Sequence, residues 1–225
     1  MFDINSSDTK WMKRAISLAS LGKGLTSPNP LVGAVILDKN GNLISEGFHY
    51  KTGMPHAEAM ASNNLRKDAQ GGTIYVNLEP CCHQGKTPPC VDKIISLGIK
   101  KVYVSIKDPD KRVSGKGIKL LEDSGIKVHL GLCEKDSLEL NKSFIYRNET
   151  KNAFGVLKWA MSLDGRVGLK NGKSKWITNK NSRSMVHSYR SEFDAIIIGG
   201  NTLRKDNPLL TSRGTKSEEP LRVVF

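Results

Sequence analysis

No stretch of the 225 residues is apolar over the ~20 positions that a membrane-crossing helix needs. Residues 1–10 (MFDINSSDTK) lack a basic region leading into an apolar core, so a secretory signal is not expected and a cytoplasmic location is. The chain has no internal repeat, no low-complexity tract and no run of five basic residues. That last absence weakens the reading its net charge of +13 first suggests, a nucleic-acid partner. The excess is divided between the two parts of the chain: 21 Lys+Arg against 15 Asp+Glu over residues 1–147, and 14 against 7 over 148–225. A lysine-rich solvated surface accounts for it, and such a surface also draws phosphorylated small molecules toward the protein. Cysteine is scarce as well, at four. In a reducing compartment thiols point to metal binding or catalysis before disulfides.

Three of those four cysteines fall within twelve residues, Glu79 to Cys90, reading EPCCHQGKTPPC. The surrounding pattern is of alternating elements. Met12, Ala15, Ile16 and Ala19 form one apolar stripe of a first helix, which Ser7 or Asp8 can cap. Residues 31–49 read as a hairpin turning at Asn40-Gly41. Helices are expected over 56–67, 91–97, 117–123 and 134–147, and strands over 73–78, 101–106 and 126–130. Such alternation predicts a layered α/β sheet with parallel crossovers. A polar stretch, 147–153, reads as a linker between a first domain, 1–147, and a second, 148–225. The second holds a helix near 179–189, a strand at 194–198 followed by a 199–202 loop, and a strand-like end at 221–225. A unit of that size closing on an apolar strand suggests an incomplete second domain.

His56-Ala57-Glu58 opens a helix, and histidine is a common zinc ligand. Pro80-Cys81 follows a strand end, and Pro89-Cys90 opens another helix, where a thiol pKa is lowered. One histidine and two thiolates leave a tetrahedral zinc with an open position, as a catalytic site requires. Glu58 lies where it can move protons. HxE followed by Pro-Cys and a second cysteine resembles the zinc-dependent nucleobase deaminases, whose signature is HxE…PCxxC. The present spacing departs from it, with eight residues between Cys81 and Cys90 and Gln at position 84.

That longer spacing, EPC-x-H-x-G-K-TPPC, resembles the RibD family of bifunctional riboflavin-biosynthesis proteins. Further matches are Asn29-Pro30 with Val32-Gly33, Gly47-Phe48-His49, Asp108-Pro109, Gly115-Lys116-Gly117, Lys158 to Gly165, Ser174 to Thr178 and Asp206 to Thr211. The resemblance implies a three-layer cytidine-deaminase-like α/β domain followed by a partial dihydrofolate-reductase-like α/β domain. It implies zinc held by His56, Cys81 and Cys90, Glu58 as the catalytic acid–base, and substrate contacts at Asn29, His49, His83, Lys86 and Asp108. The implied activity is hydrolytic deamination of a diaminopyrimidinone ribosylamino 5′-phosphate, then reduction of its ribose by NADPH. For the second domain it implies NADPH contacts at Ala160, Trp176, Thr202 and Asp206, and substrate contacts at Lys158, Ser174, Arg190, Leu210 and Arg213. It also implies assembly of copies through the reductase domain, with no nucleic-acid or membrane partner. The family's reductase domain runs past Phe225, so an inactive reductase half is expected of this sequence. Asp110 stands where the family usually has Asn, and a carboxylate there would repel a phosphate. Cys82 reads as a bystander thiol and Cys133 as a small buried hydrophobe. The weighed alternatives are another zinc nucleoside or tRNA deaminase, and a structural zinc module that binds nucleic acid.

Overall fold

The computed structural model describes residues 6–83, 88–172, 174, 176–213 and 219–225. The chain divides into two compact units, Met1–Ala153 and Phe154–Phe225.

The first unit is built on one sheet. β1 (Gly33–Leu37) and β2 (Leu43–Phe48) form the expected hairpin, whose turn is closed by Asp38 accepting the amides of Asn40 and Asn42. β3 (Thr73–Leu78) pairs antiparallel with β1, and β4 (Lys101–Ile106) and β5 (Lys127–Leu130) follow in parallel. The order is β2-β1-β3-β4-β5. Central strands are apolar on both faces, because both are covered. Ile36, Ile74, Val76, Val102 and Val104 pack with Ala57 and Ala61 of α2 (Ala57–Asn63), Val91 and Ile94 of α3 (Cys90–Ser96) and Leu121 of α4 (Lys116–Asp123). On the opposite face Val35, Leu37, Tyr75 and Tyr103 pack with Met12, Ala15 and Leu18 of α1 (Ser6–Ser20). Successive residues of one strand thus serve opposite layers, the period-2 consequence of the pleat. Gly47 lets α2 press onto β2, since a Cβ there would lie 2.5 Å from the Ala61 nitrogen.

Four expectations are corrected by the structure. Asp8 does not stand before the first helix. It lies in its first turn, buried, and accepts a 2.6 Å hydrogen bond from the Tyr75 hydroxyl. The single helix expected over 134–147 is two, α5 (Glu134–Leu140) and α6 (Lys142–Thr150), interrupted at Asn141. Asn141 is buried and turned inward to bracket the backbone of Leu31, accepting its N–H at 2.8 Å and donating to its carbonyl at 2.9 Å. The polar stretch from Arg147 is helical to Thr150. Asn148 and Thr150 fold back onto the Phe144 and Tyr146 carbonyls, so their polarity is satisfied inside the helix, and Lys151 at φ 62° ends it. The expected 56–67 helix also stops early, at Asn63.

In the second unit α7 (Lys180–Arg190) is capped by Asn179, which accepts the Ser182 amide at 2.9 Å. β6 (Ala195–Ile198) and β7 (Leu221–Val224) are parallel, connected through α8 (Gly200–Asp206). The expected 199–202 loop is therefore the first turn of a helix. Among the described residues of this unit Leu210 is the buried hydrophobic side chain, while Leu157, Leu163, Trp176, Leu209 and Phe225 stand exposed. No helix among the described residues is long and apolar enough to cross a membrane.

Candidate metal centre and its surroundings

β3 ends at Leu78 and delivers Glu79-Pro80-Cys81 to the edge of the first unit, beside the starts of α2 and α3. His56 is the cap residue of α2, extended at φ −67°, ψ 163°, and its carbonyl accepts the Met60 amide at 2.8 Å. Cys90 is the first residue of α3, after Pro89. Its amide points at the Cys81 sulfur (3.3 Å), and the Val91 amide donates to the Cys81 carbonyl (3.2 Å). These two contacts lock the strand end to the helix start across the long inter-cysteine loop.

Nδ1 of His56 lies 3.5 Å from Sγ of Cys81 and 3.3 Å from Sγ of Cys90. All three ligand atoms fall within 4.8 Å of one another. Zn–N and Zn–S bonds at tetrahedral angles put nitrogen and sulfur about 3.5 Å apart, so the three fit one zinc ion. Cys81 is pulled toward the thiolate, first by the Cys90 thiol donating to it and then by His56, while Cys90 is pushed up. The donor set is soft sulfur plus imidazole, the chemistry zinc selects.

Glu58, two residues after His56, is buried, and burial pushes its carboxyl up to about 7. The nearby Cys81 adds to that rise, and a hydrogen bond with Cys90 opposes it. A carboxyl at this level exchanges protons near neutral pH.

Asn29 and His49 are brought together. Nδ1–H of His49 donates to the Pro55 carbonyl (3.1 Å), which fixes the tautomer, so Nε2 accepts from Nδ2 of Asn29 (3.1 Å). Burial lowers the His49 pKa, in keeping with a neutral ring, and that ring stands edge-on to His56 at 5.6 Å. With its amide nitrogen held, Asn29 presents a carbonyl oxygen as acceptor. His83 has a buried Nδ1 without a hydrogen-bond partner among the described residues. Lys86 lies outside the described residues. Asp108 is buried, and burial, aided by Asp110 and Glu79, pushes its carboxyl up to about 6. Asp110 bears on the phosphate objection. Arg112 donates to both its oxygens, the shortest contact being 2.5 Å, and holds its carboxyl down at about 2. The pair carries no net charge.

Cys82 stays out of the three-ligand group and points to the Arg112 carbonyl at 3.9 Å. Cys133, at φ 56° ahead of α5, packs as a small hydrophobe against the Met12–Tyr103 cluster, partly rather than fully buried.

Two further residues escaped the sequence reading. Asn77, fully buried within an apolar strand, accepts the Gly33 amide and donates to the Leu31 carbonyl, so it fixes the loop after Asn29 together with Asn141. A lone amide inside TIYVNL was the available signal. Glu79, in the same stretch as the cysteines, has a buried carboxylate that accepts three backbone amides.

The second unit gathers its candidates less. Arg190 is half-buried, donates to the Thr211 carbonyl at 3.3 Å, and has its pKa lowered by burial and by Arg213, so Arg190, Leu210 and Arg213 lie on neighbouring segments. Trp176 is stacked against Arg183 at 4.2 Å. Thr202 and Asp206 are at opposite ends of α8, and no described hydrogen bond or ring contact joins them to Ala160 or Trp176. Lys158 and Ser174 are exposed.

Residues 5–106 match the cytidine and deoxycytidylate deaminase zinc-binding region, and residues 153–225 match the RibD C-terminal domain. The riboflavin biosynthesis protein RibD of Synechocystis is 46% identical over 219 residues, 97% of this chain and 59% of the relative. That of Aquifex aeolicus is 46% identical over 223 residues, 99% of this chain and 62% of the relative. Among solved structures, a diaminohydroxyphosphoribosylaminopyrimidine deaminase/5-amino-6-(5-phosphoribosylamino)uracil reductase from Thermotoga maritima is similar at TM-score 0.91 and 44% identity, over 96% of this chain and 62% of its own. The chain spans about three fifths of the length of these relatives. The first unit has the cytidine-deaminase-like fold and the second is of the RibD reductase type. With its zinc-type ligand set, its fold and an identity that runs nearly end to end, the chain belongs to the RibD family of riboflavin biosynthesis proteins.

Proposed function

We propose that this protein hydrolyses the 2-amino group of 2,5-diamino-6-ribosylamino-4(3H)-pyrimidinone 5′-phosphate, giving 5-amino-6-(5-phosphoribosylamino)uracil and ammonia. The observation that carries the reading is the convergence of His56, Cys81 and Cys90 beside a buried Glu58 whose carboxyl titrates at about 7. His56, Cys81 and Cys90 would hold zinc, which would supply the Lewis acidity that lowers the pKa of water to about 7. Glu58 takes the proton of the attacking water and hands it to the departing amino group. Asn29, its amide nitrogen held by His49, offers its oxygen to a donor on the ring edge. Asp108 at about 6 supplies a further buried carboxyl for the polar edge of the substrate. His83, whose Nδ1 has no partner among the described residues, and Lys86 take the phosphate, and the Arg112-neutralised Asp110 does not oppose it.

In a full-length protein the second unit would contribute to the NADPH-dependent reduction of the ribosyl to a ribityl group. Arg190, Leu210, Arg213, Lys158 and Ser174 face the sugar phosphate, and Ala160, Trp176, Thr202 and Asp206 the cofactor. The proximity of Arg190 to Arg213, two cations on neighbouring segments, supports the first assignment. The same reading locates the protein in the cytoplasm and has copies of a full-length protein assemble through the second unit. Light scattering during gel filtration measures that assembly.

Ammonia release from the phosphorylated pyrimidine by the zinc-loaded protein is the direct test. A wild type that binds zinc and releases none sinks the proposal.

A further inference from the structure

Glu79 stands outside the roles assigned so far. Its carboxylate is 3% exposed and sits where three segments meet. Oε2 accepts the amide of Asp108 at 3.3 Å and that of Gly115 at 2.9 Å, and Oε1 accepts the amide of Ile118 at 3.2 Å. Gly115 is the cap residue of α4, at φ 80°, and has no side chain with which to cap the helix. Glu79 supplies the missing oxygen from the neighbouring strand end, two residues before Cys81. A second observation concerns the same junction. A Cβ on Gly117 would lie 2.2 Å from the Pro80 carbonyl oxygen and 3.2 Å from Oε1 of Glu79, so α4 is seated directly on the Glu79-Pro80 segment. The loop between β4 and α4, which carries Asp108 into the site, is therefore fastened at both ends to one carboxylate.

We propose that Glu79 is a positioning residue for the deaminase reaction: its carboxylate sets the Asp108 loop, and through it substrate binding, relative to the metal centre. The inference rests on the deaminase reading above. Glu79 is not needed to hold the ligands. Cys81 is fixed by the Cys90 and Val91 amides, which are independent of it. The signature is thus a split between binding and metal retention.

In Glu79→Gln an amide NH2 replaces one carboxylate oxygen and is forced against a backbone N–H donor. Measured on the zinc-loaded full chain, KM for the phosphorylated pyrimidine is expected to rise roughly tenfold, with kcat changed less than about threefold and zinc stoichiometry unaltered. Amide exchange at Asp108 and Gly115 speeds up in the same variant. Leu121→Val, which loosens α4 from the core without touching Glu79, supplies a control that lowers Tm and leaves KM alone. If Glu79→Gln does not fold, Glu79→Asp, one methylene too short to reach all three donors, carries the same measurements. An active wild type whose Glu79 variant lowers Tm but keeps KM overturns this inference alone. A wild type without deaminase activity instead counts against the underlying reading.

Discussion

The two units of this chain invest their apolar residues differently. In the first, Ile74 and Val104 are fully buried between helices on both faces of a five-stranded sheet. In the second, two parallel strands leave Ile197 61% exposed and Leu221 67% exposed. The candidate residues follow the same division. His56, Cys81, Cys90 and Glu58 converge because β3 and the starts of α2 and α3 are held by a common core. The second unit's candidates lie on segments that share little packing, and among the described residues only Arg190 and the 210–213 segment are drawn together. Convergent chemistry needs a rigid frame, since each ligand must be held within a fraction of an ångström.

The largest effect should separate the two units by chemistry. Glu58→Gln is expected to lower ammonia release by about 10³-fold, within the range for loss of a general acid–base, while bound zinc stays stoichiometric. Arg190→Ala should leave ammonia release within about twofold, as a residue of the other unit. A Glu58→Gln protein with full activity would break the mechanism, and a large loss in Arg190→Ala would break the division of labour.

The next effect is in stability. Ile74→Ala should cost about 2–5 kcal/mol in denaturant unfolding, because it leaves a cavity in a closed core. Ile197→Ala, the same truncation at an exposed strand position, should stay within about 0.5 kcal/mol. Equal losses would show the second unit to be as well packed as the first.

The smallest effect is pH-dependent and confined to the first unit. The Asp108 carboxyl, at about 6 when folded, lies above its unfolded value near 4, so the folded protein holds the proton more tightly. Stability from this group is full below pH ~4 and is lost as pH rises through ~6. In zinc-free protein Asp108→Asn removes that loss. It should therefore gain on the order of 1 kcal/mol at pH 7.5, with the gain vanishing at pH 4. Thermal melts at the two pH values measure it. A gain that grows toward low pH would reverse the sign and refute the burial argument.

Much of this was legible in the sequence. Strands at 73–78 and 101–106, the hairpin and the helix near 179–189 follow from composition, alternation and turn chemistry, which are local effects. The ligand set was legible because proline, cysteine and histidine cluster at element boundaries. Where the reading failed, a distant partner decided. Asn141 breaks a helix to serve Leu31, 110 residues earlier, and Asp8 leaves the cap position to bind Tyr75, 67 residues later. Asn77 and Glu79 were passed over for the same reason, as each is satisfied by backbone that arrives from elsewhere.

The sequence by itself determined which side chains this protein has for holding a metal and moving a proton, and the strand and helix ends that present them. Only the tertiary structure decided that Glu58 would be buried enough to titrate near 7. The neutral Asn29–His49 pair and the fastening of the Asp108 loop to Glu79 were likewise settled there. The physical reason is range. Periodicity and capping act within a few residues, whereas desolvation and the pairing of buried polar groups depend on which segments the core brings together.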